Sequence, residues 1–119
     1  MKYPLTFYTD CFLKPWQAAA VIGPVILIRP KYRDDVGLLK HELEHVKQGF
    51  ATLGLHIPLY LLSKRYRLWA EASAYKEQMR WPNGTGSSMS LDTAARRLAA
   101  PEYNLGITEA EAKAYLEAL

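Results

Sequence analysis

Short apolar runs open the chain and give way, after Pro30, to longer segments in which apolar residues recur every three or four positions. The residues YPLTFY at 3–8 and VILIR at 25–29 have the β-branched and aromatic content of strands, and AAAVI before Gly23-Pro24 pairs with the second as a hairpin. A small sheet of two or three strands is expected. Pro30 ends it. From Val36 the period changes: Val36, Leu39, Leu43, Val46 and Phe50 are spaced 3, 4, 3, 4, which places them on one stripe of a helix. Asp34 or Asp35 supplies the N-cap, and this helix runs to about residue 51 before Gly54 breaks the chain.

A second helix is expected from near Pro58, which suits a first turn, to about Met79, where Trp81-Pro82-Asn83-Gly84 stops it. NGTGSSMS at 83–90 has the composition of a linker. Two short helices follow, one over about 91–99 and one opening at Thr108, whose side chain forms a capping box with Glu111. In the last helix Ala112, Tyr115, Leu116 and Leu119 share an apolar face, which either completes the core or covers a cleft. With 119 residues, half of them apolar, the chain is sized for one domain with a real core. Residues 1–82 hold the strands and the two long helices, 83–90 the linker-like stretch, and 91–119 the C-terminal helices. The fold class is α+β.

Composition narrows the function. The net charge of +3 arises from 15 basic residues interleaved with 12 acidic ones, the pattern of a solvated surface and not of a nucleic-acid face. Cys11 is the sole cysteine, so no intrachain disulfide forms and a reducing, cytoplasmic setting is expected, with no secretion signal. The run LGLHIPLYLL at 53–62 is about half the length that spans a bilayer. It predicts no membrane span, only a stretch able to lie against a membrane or a partner.

The chemistry is concentrated in HELEH at 41–45. His41 and His45 stand at i and i+4, so one helix presents both imidazoles on one face, as zinc requires of neutral nitrogen ligands. On the wheel that face lies nearly opposite the apolar stripe. The helix is therefore expected to pack on one side and to face something else across the histidines. Glu42 falls between the two faces, beside Leu38 and Val46, where a half-buried carboxylate can act as general base on a zinc-activated water. Glu44 instead sits beside Lys40 and Lys47, as a solvated, paired residue does.

A catalytic zinc needs a third protein ligand and an open position. Continuation as HExxHxxGxxH is closed, because Gln48 and Ala51 stand where glycine and histidine are needed. Glu71 is the strongest candidate. It is flanked by Ala70, Ala72 and Ala74, small residues that let a second helix approach the histidines, and a lone carboxylate among them is expected to be paired or metal-bound. An ion pair with Arg67 is the alternative use of Glu71, and His56 and Cys11 remain alternative ligands. Glu77 reads as solvated beside Lys76 and Arg80.

HELEHVKQ followed by WAEASAY resembles the gluzincins, zincin-fold metallopeptidases, and specifically their very small single-domain members from bacteria and phages, over about residues 25–80. The resemblance implies a minimal zincin-like fold, Zn2+ held by His41, His45 and Glu71, Glu42 as catalytic base, and a peptide or protein substrate bound by β-augmentation along VILIR. One position departs. Many gluzincins place aspartate four residues after the glutamate ligand, to support a histidine, and this chain has Tyr75. Tyr75, Tyr60 and Tyr66 are candidate oxyanion donors or packed aromatics. The function implied is a zinc metallopeptidase; a zincin-scaffold binding module without turnover and a non-peptidase zinc hydrolase are the other readings.

Overall fold

The computed structural model describes residues 5–119, so Tyr3 and Pro4 of the first expected strand lie outside the described residues. Three four-residue strands, β1 (Leu5–Tyr8), β2 (Ala19–Ile22) and β3 (Val25–Ile28), form one sheet in the order β1-β3-β2. The hairpin is as expected: β2 runs antiparallel to β3 with Ile22 opposite Val25. Gly23 closes it at φ +58°, a value open to glycine without strain, and Pro24 supplies the negative φ of the next position. β1 pairs parallel to β3, with Leu5 opposite Val25, which makes β3 the central strand. The connection from β1 is pinned by Arg29, whose guanidinium donates to the carbonyls of Gln17 and Lys14 and to Asp10.

A turn of 3-10 helix follows, and Asp35 then caps α1 (Val36–Ala51) by accepting from the Leu38 amide at 2.9 Å. Ile26 and Ile28 point from the sheet into a buried cluster with Val46, against which Leu39 and Leu43 pack. The ends of the predicted stripe do not join it. The strands are too short to cover them, and Phe50 is 57 % exposed. On its other side α1 lies along α3 (Lys64–Gln78), so the helix is buried on two faces. The two run antiparallel: Gly37 donates its amide to Pro82 O beyond the end of α3, while Gln48 donates to Ala70 O near its middle. Close approach explains Gly37, where an added Cβ would meet Gln78 O at 3.0 Å. It also suits Ala70 and Ala74, which are fully buried.

The single helix expected from Pro58 to Met79 is two. α2 (His56–Leu62) ends at Ser63, whose backbone is extended and whose hydroxyl caps α3 by accepting from the Tyr66 amide at 3.1 Å. Ser63 is able to stop one helix and start another because its side chain replaces a missing backbone acceptor. Pro58 lies inside α2 at its third residue, and the turn before it has Leu53 and Gly54 at positive φ.

After Trp81 the chain folds into a hydrogen-bonded turn, with Asn83 Oδ1 accepting from the Thr85 amide at 2.8 Å. α4 (Leu91–Leu98) and α5 (Glu109–Ala118) follow, and Thr108 and Glu111 form the expected capping box. Ala112 and Leu116 are fully buried with Ala72, Tyr75, Ala94, Ala95 and Leu98 in a second cluster beneath α3. The apolar face of α5 thus completes a core. Among the described residues no helix is long and apolar enough to cross a membrane.

Candidate metal centre

The face of α1 opposite the sheet carries His41 and His45, and α3 brings Glu71 against them. His41 Nε2 lies 3.3 Å and His45 Nε2 3.1 Å from Glu71 Oε1. All three side chains are buried, and among the described residues their ligand atoms converge within 4.8 Å of one another. Ligands of a tetrahedral zinc at about 2.0–2.1 Å stand roughly 3.3 Å apart, so the spacing toward Glu71 suits that ion. Neither alternative ligand joins the group. Cys11 is exposed, and His56 is turned to Tyr66, whose hydroxyl meets its Nδ1 at 2.7 Å. The ion-pair alternative for Glu71 also fails, because Arg67 donates to the carbonyls of Tyr60, Tyr103 and Asn104.

Hydrogen bonding sets the tautomer of His45. Gln48 is 2 % exposed, and its amide nitrogen donates to Ala70 O at 3.0 Å, leaving Oε1 to face His45 Nδ1 at 3.0 Å. Nδ1 must then carry the hydrogen. Neutral His45 consequently directs a bare Nε2 lone pair at the Glu71 carboxylate, and two acceptors at that distance need a cation or a proton between them. Without metal the proton serves: burial opposes it, but the charge and hydrogen bond of Glu71 push the imidazole up to about 9. Burial likewise opposes ionisation of Glu71, yet His45 and His41 outweigh it and hold the carboxyl well below its usual range. A buried acceptor pair held apart in this way is the observation that a divalent cation fits.

Around these three lie groups that the sequence pattern did not place. Gln48 is one; its signal was a polar residue at i+3 from His45 in a position that proves buried. Tyr60 is another, and its hydroxyl donates to Glu71 Oε2. Burial, followed by the Glu71 charge, raises the Tyr60 phenol, which therefore stays protonated as a donor. Tyr75, four residues after Glu71, stands with its ring 4.5 Å from that of His41. Its hydroxyl turns away to Tyr103 at 2.5 Å. His41 Nδ1 is left buried without a hydrogen-bond partner.

The two glutamates of the motif part as their helix positions imply. Glu42 is buried, and desolvation raises its carboxyl pKa, although His41 and His45 oppose the shift and Glu71 adds to it. Glu44 is partly exposed and pairs with Lys47 at 3.8 Å. Glu77 accepts from Trp81 Nε1 at 3.0 Å and pairs loosely with Arg80, away from the centre.

The expected mode of substrate binding along VILIR is corrected by the topology. β3 is paired on both edges, so no peptide can add to it, and the free edges of the sheet belong to β1 and β2. An apolar concavity on the outer face of the sheet, lined by residues that include Phe7, Phe12 and Ile22, contains none of His41, His45 and Glu71.

An α+β fold in which one helix carries a buried His-Glu-x-x-His and an antiparallel helix supplies a distal glutamate has the geometry of a zincin-like metal site. Comparison of the chain with protein families, with curated proteins and with solved structures finds no match.

Proposed function

We propose that the protein is a zinc-dependent metallopeptidase in which His41, His45 and Glu71 hold the ion and Glu42 is the general base. The observation that carries the reading is the Glu71 carboxylate facing both imidazole Nε2 atoms, with a buried Glu42 next to His41 on the same helix. Bound zinc supplies Lewis acidity, which polarises a carbonyl and acidifies water. The remaining work falls to the chain. Gln48 holds His45 in the tautomer that leaves Nε2 bare, and Tyr60 orients Glu71 through its second oxygen. Glu42, with its affinity for a proton raised by burial, takes one from the attacking water and returns it to the leaving amine.

Two measurements test this. Elemental analysis of the purified protein is expected to find one zinc per chain, and a mixed peptide library is expected to be cleaved by the zinc-loaded protein and spared after chelation. The unsupported His41 Nδ1 and the Tyr75 ring beside it favour one rival, a metal-binding module without turnover. Stoichiometric zinc with no hydrolysis would establish that rival. Cleavage confined to formyl or acyl substrates would instead assign a non-peptidase hydrolase.

A further inference from the structure

α2 is polarised in the opposite sense from a helix on a water-facing surface. Its half-buried positions are His56 and Tyr60, one turn apart and directed at the metal centre, whereas Ile57, Leu61 and Leu62 face outward. The turn before it adds Leu53 and Leu55, and α3 adds Trp69. Leu53 is 92 % and Leu62 87 % exposed. Scattered apolar residues are ordinary on a surface, but so many exposed ones concentrated in one stretch of chain mark a contact.

Charge identifies the contact. Residues 45–70 contain no aspartate or glutamate; of their four basic residues Lys47 pairs with Glu44 and Arg67 is buried against backbone carbonyls, which leaves Lys64 and Arg65 as the cations of this face. Lys64 and Arg65 directly follow Leu61-Leu62 and are exposed, and among the described residues neither enters an ion pair. Arg65 and Trp69 stand one turn apart on α3. Exposed leucine and isoleucine, an interfacial tryptophan and flanking cations without acids together match an anionic phospholipid surface. The apolar side chains enter the acyl boundary, and the cations meet phosphate head groups.

We infer that the protein docks peripherally on anionic membranes through α2, the turn before it and the first turns of α3. Because the inner face of α2 touches Glu71 through Tyr60 and stands against His45 through His56, docking sets the metal centre directly beneath the lipid contact. Docking depends on the outer face alone and not on the hydrolytic reading, so loss of metal or of turnover leaves it standing.

The full-length protein is tested by flotation with vesicles of phosphatidylcholine, alone or mixed with phosphatidylglycerol. Binding is expected to the mixed vesicles, to weaken as salt is raised, and to be much poorer on phosphatidylcholine alone. The double variant Leu53→Ser/Leu62→Ser and the charge reversal Lys64→Glu/Arg65→Glu are each expected to lower the partition coefficient on the order of tenfold or more. All four positions are exposed, so unchanged melting curves and zinc content are expected beside the loss. No binding to the mixed vesicles overturns the inference, as does binding that both variants retain. A parent that forms a dimer, dissociated by Leu53→Ser/Leu62→Ser without vesicle binding, overturns it too and assigns the face to a second copy of the chain.

Discussion

His45 and Glu71 face each other through atoms that cannot both be bare: Nε2 lies 3.1 Å from Oε1, while Nδ1 is committed to Gln48. In the proposed zinc site the pair would exchange a proton for the metal ion, and its pH dependence follows in sign. In the metal-free protein His45 is raised from 6.5 to about 9, so its contribution to stability is complete below 6.5 and is lost as pH rises toward 9. Glu71 is depressed, so its contribution is present above 4.5 and is lost as pH falls through the acid range. Raised Glu42 adds a penalty above 4.5, as burial comes to hold a charge. Metal-free protein is then expected to melt highest between pH 4.5 and 6.5 and progressively lower toward pH 9. Zinc affinity is expected to run the other way over the upper window, because the imidazole must release its proton to bind metal. A metal-free melting temperature that does not fall between pH 6.5 and 9 contradicts the pairing.

Removal of the proposed third ligand separates it from its rivals. Glu71→Gln deletes the only charge among the three donors and is expected to weaken zinc binding strongly, by two orders of magnitude or so on the scale of ligand losses. Glu77→Gln, Cys11→Ser and His56→Ala lie outside the converging group and are expected to retain zinc with parental affinity. Competition with a chromophoric chelator measures all four. Parental zinc binding by Glu71→Gln, with loss in Cys11→Ser or His56→Ala, contradicts the ligand set.

Gln48 is expected to act on the metal through His45. Gln48→Leu removes the acceptor at Nδ1 and frees the imidazole to change tautomer, so zinc affinity is expected to drop about 10- to 100-fold. Gln48→Glu keeps an acceptor there and is expected to recover most of that loss. Equal affinities in the two variants, measured by the same competition and with matched melting curves, would reduce Gln48 to a packing role.

Local periodicity made α1 and its faces legible, because the 3, 4, 3, 4 stripe leaves the histidines only the opposite side. Glu71 stood out as a single carboxylate among alanines, all of which are buried: Ala72 packs with α4 and α5, and Ala70 and Ala74 flank the side of α3 that meets α1. Ser63 did not stand out. A serine is compatible with the interior of a helical pattern, and only the packing of α2 across the metal centre reveals it as a cap. The same lack of long-range information concealed β3 as the central strand, since the hairpin fixes one of its edges and the distant β1 takes the other. Tyr60 was one of three tyrosines that the pattern did not rank, and its hydrogen bond to Glu71 depends on α2 folding back over α3.

The motif places Glu42 and Glu44 one on each side of its midpoint, and helix position distinguishes them. Glu42 is buried between the histidine face and the sheet-facing stripe, where desolvation raises its pKa toward the range in which a base both accepts and returns a proton. Glu44 faces Lys47 and solvent, where an ion pair at 3.8 Å contributes little. Glu42→Gln is expected to keep its fold and zinc and to lose hydrolysis by about two to four orders of magnitude, the scale of a removed general base. Glu44→Gln is expected to lose less than about tenfold, since only a weak surface pair disappears. Both are compared zinc-loaded, at matched melting curves, with a peptide that the parent cleaves. Equal losses, or a full loss confined to Glu44→Gln, would show that burial on α1 does not select the base.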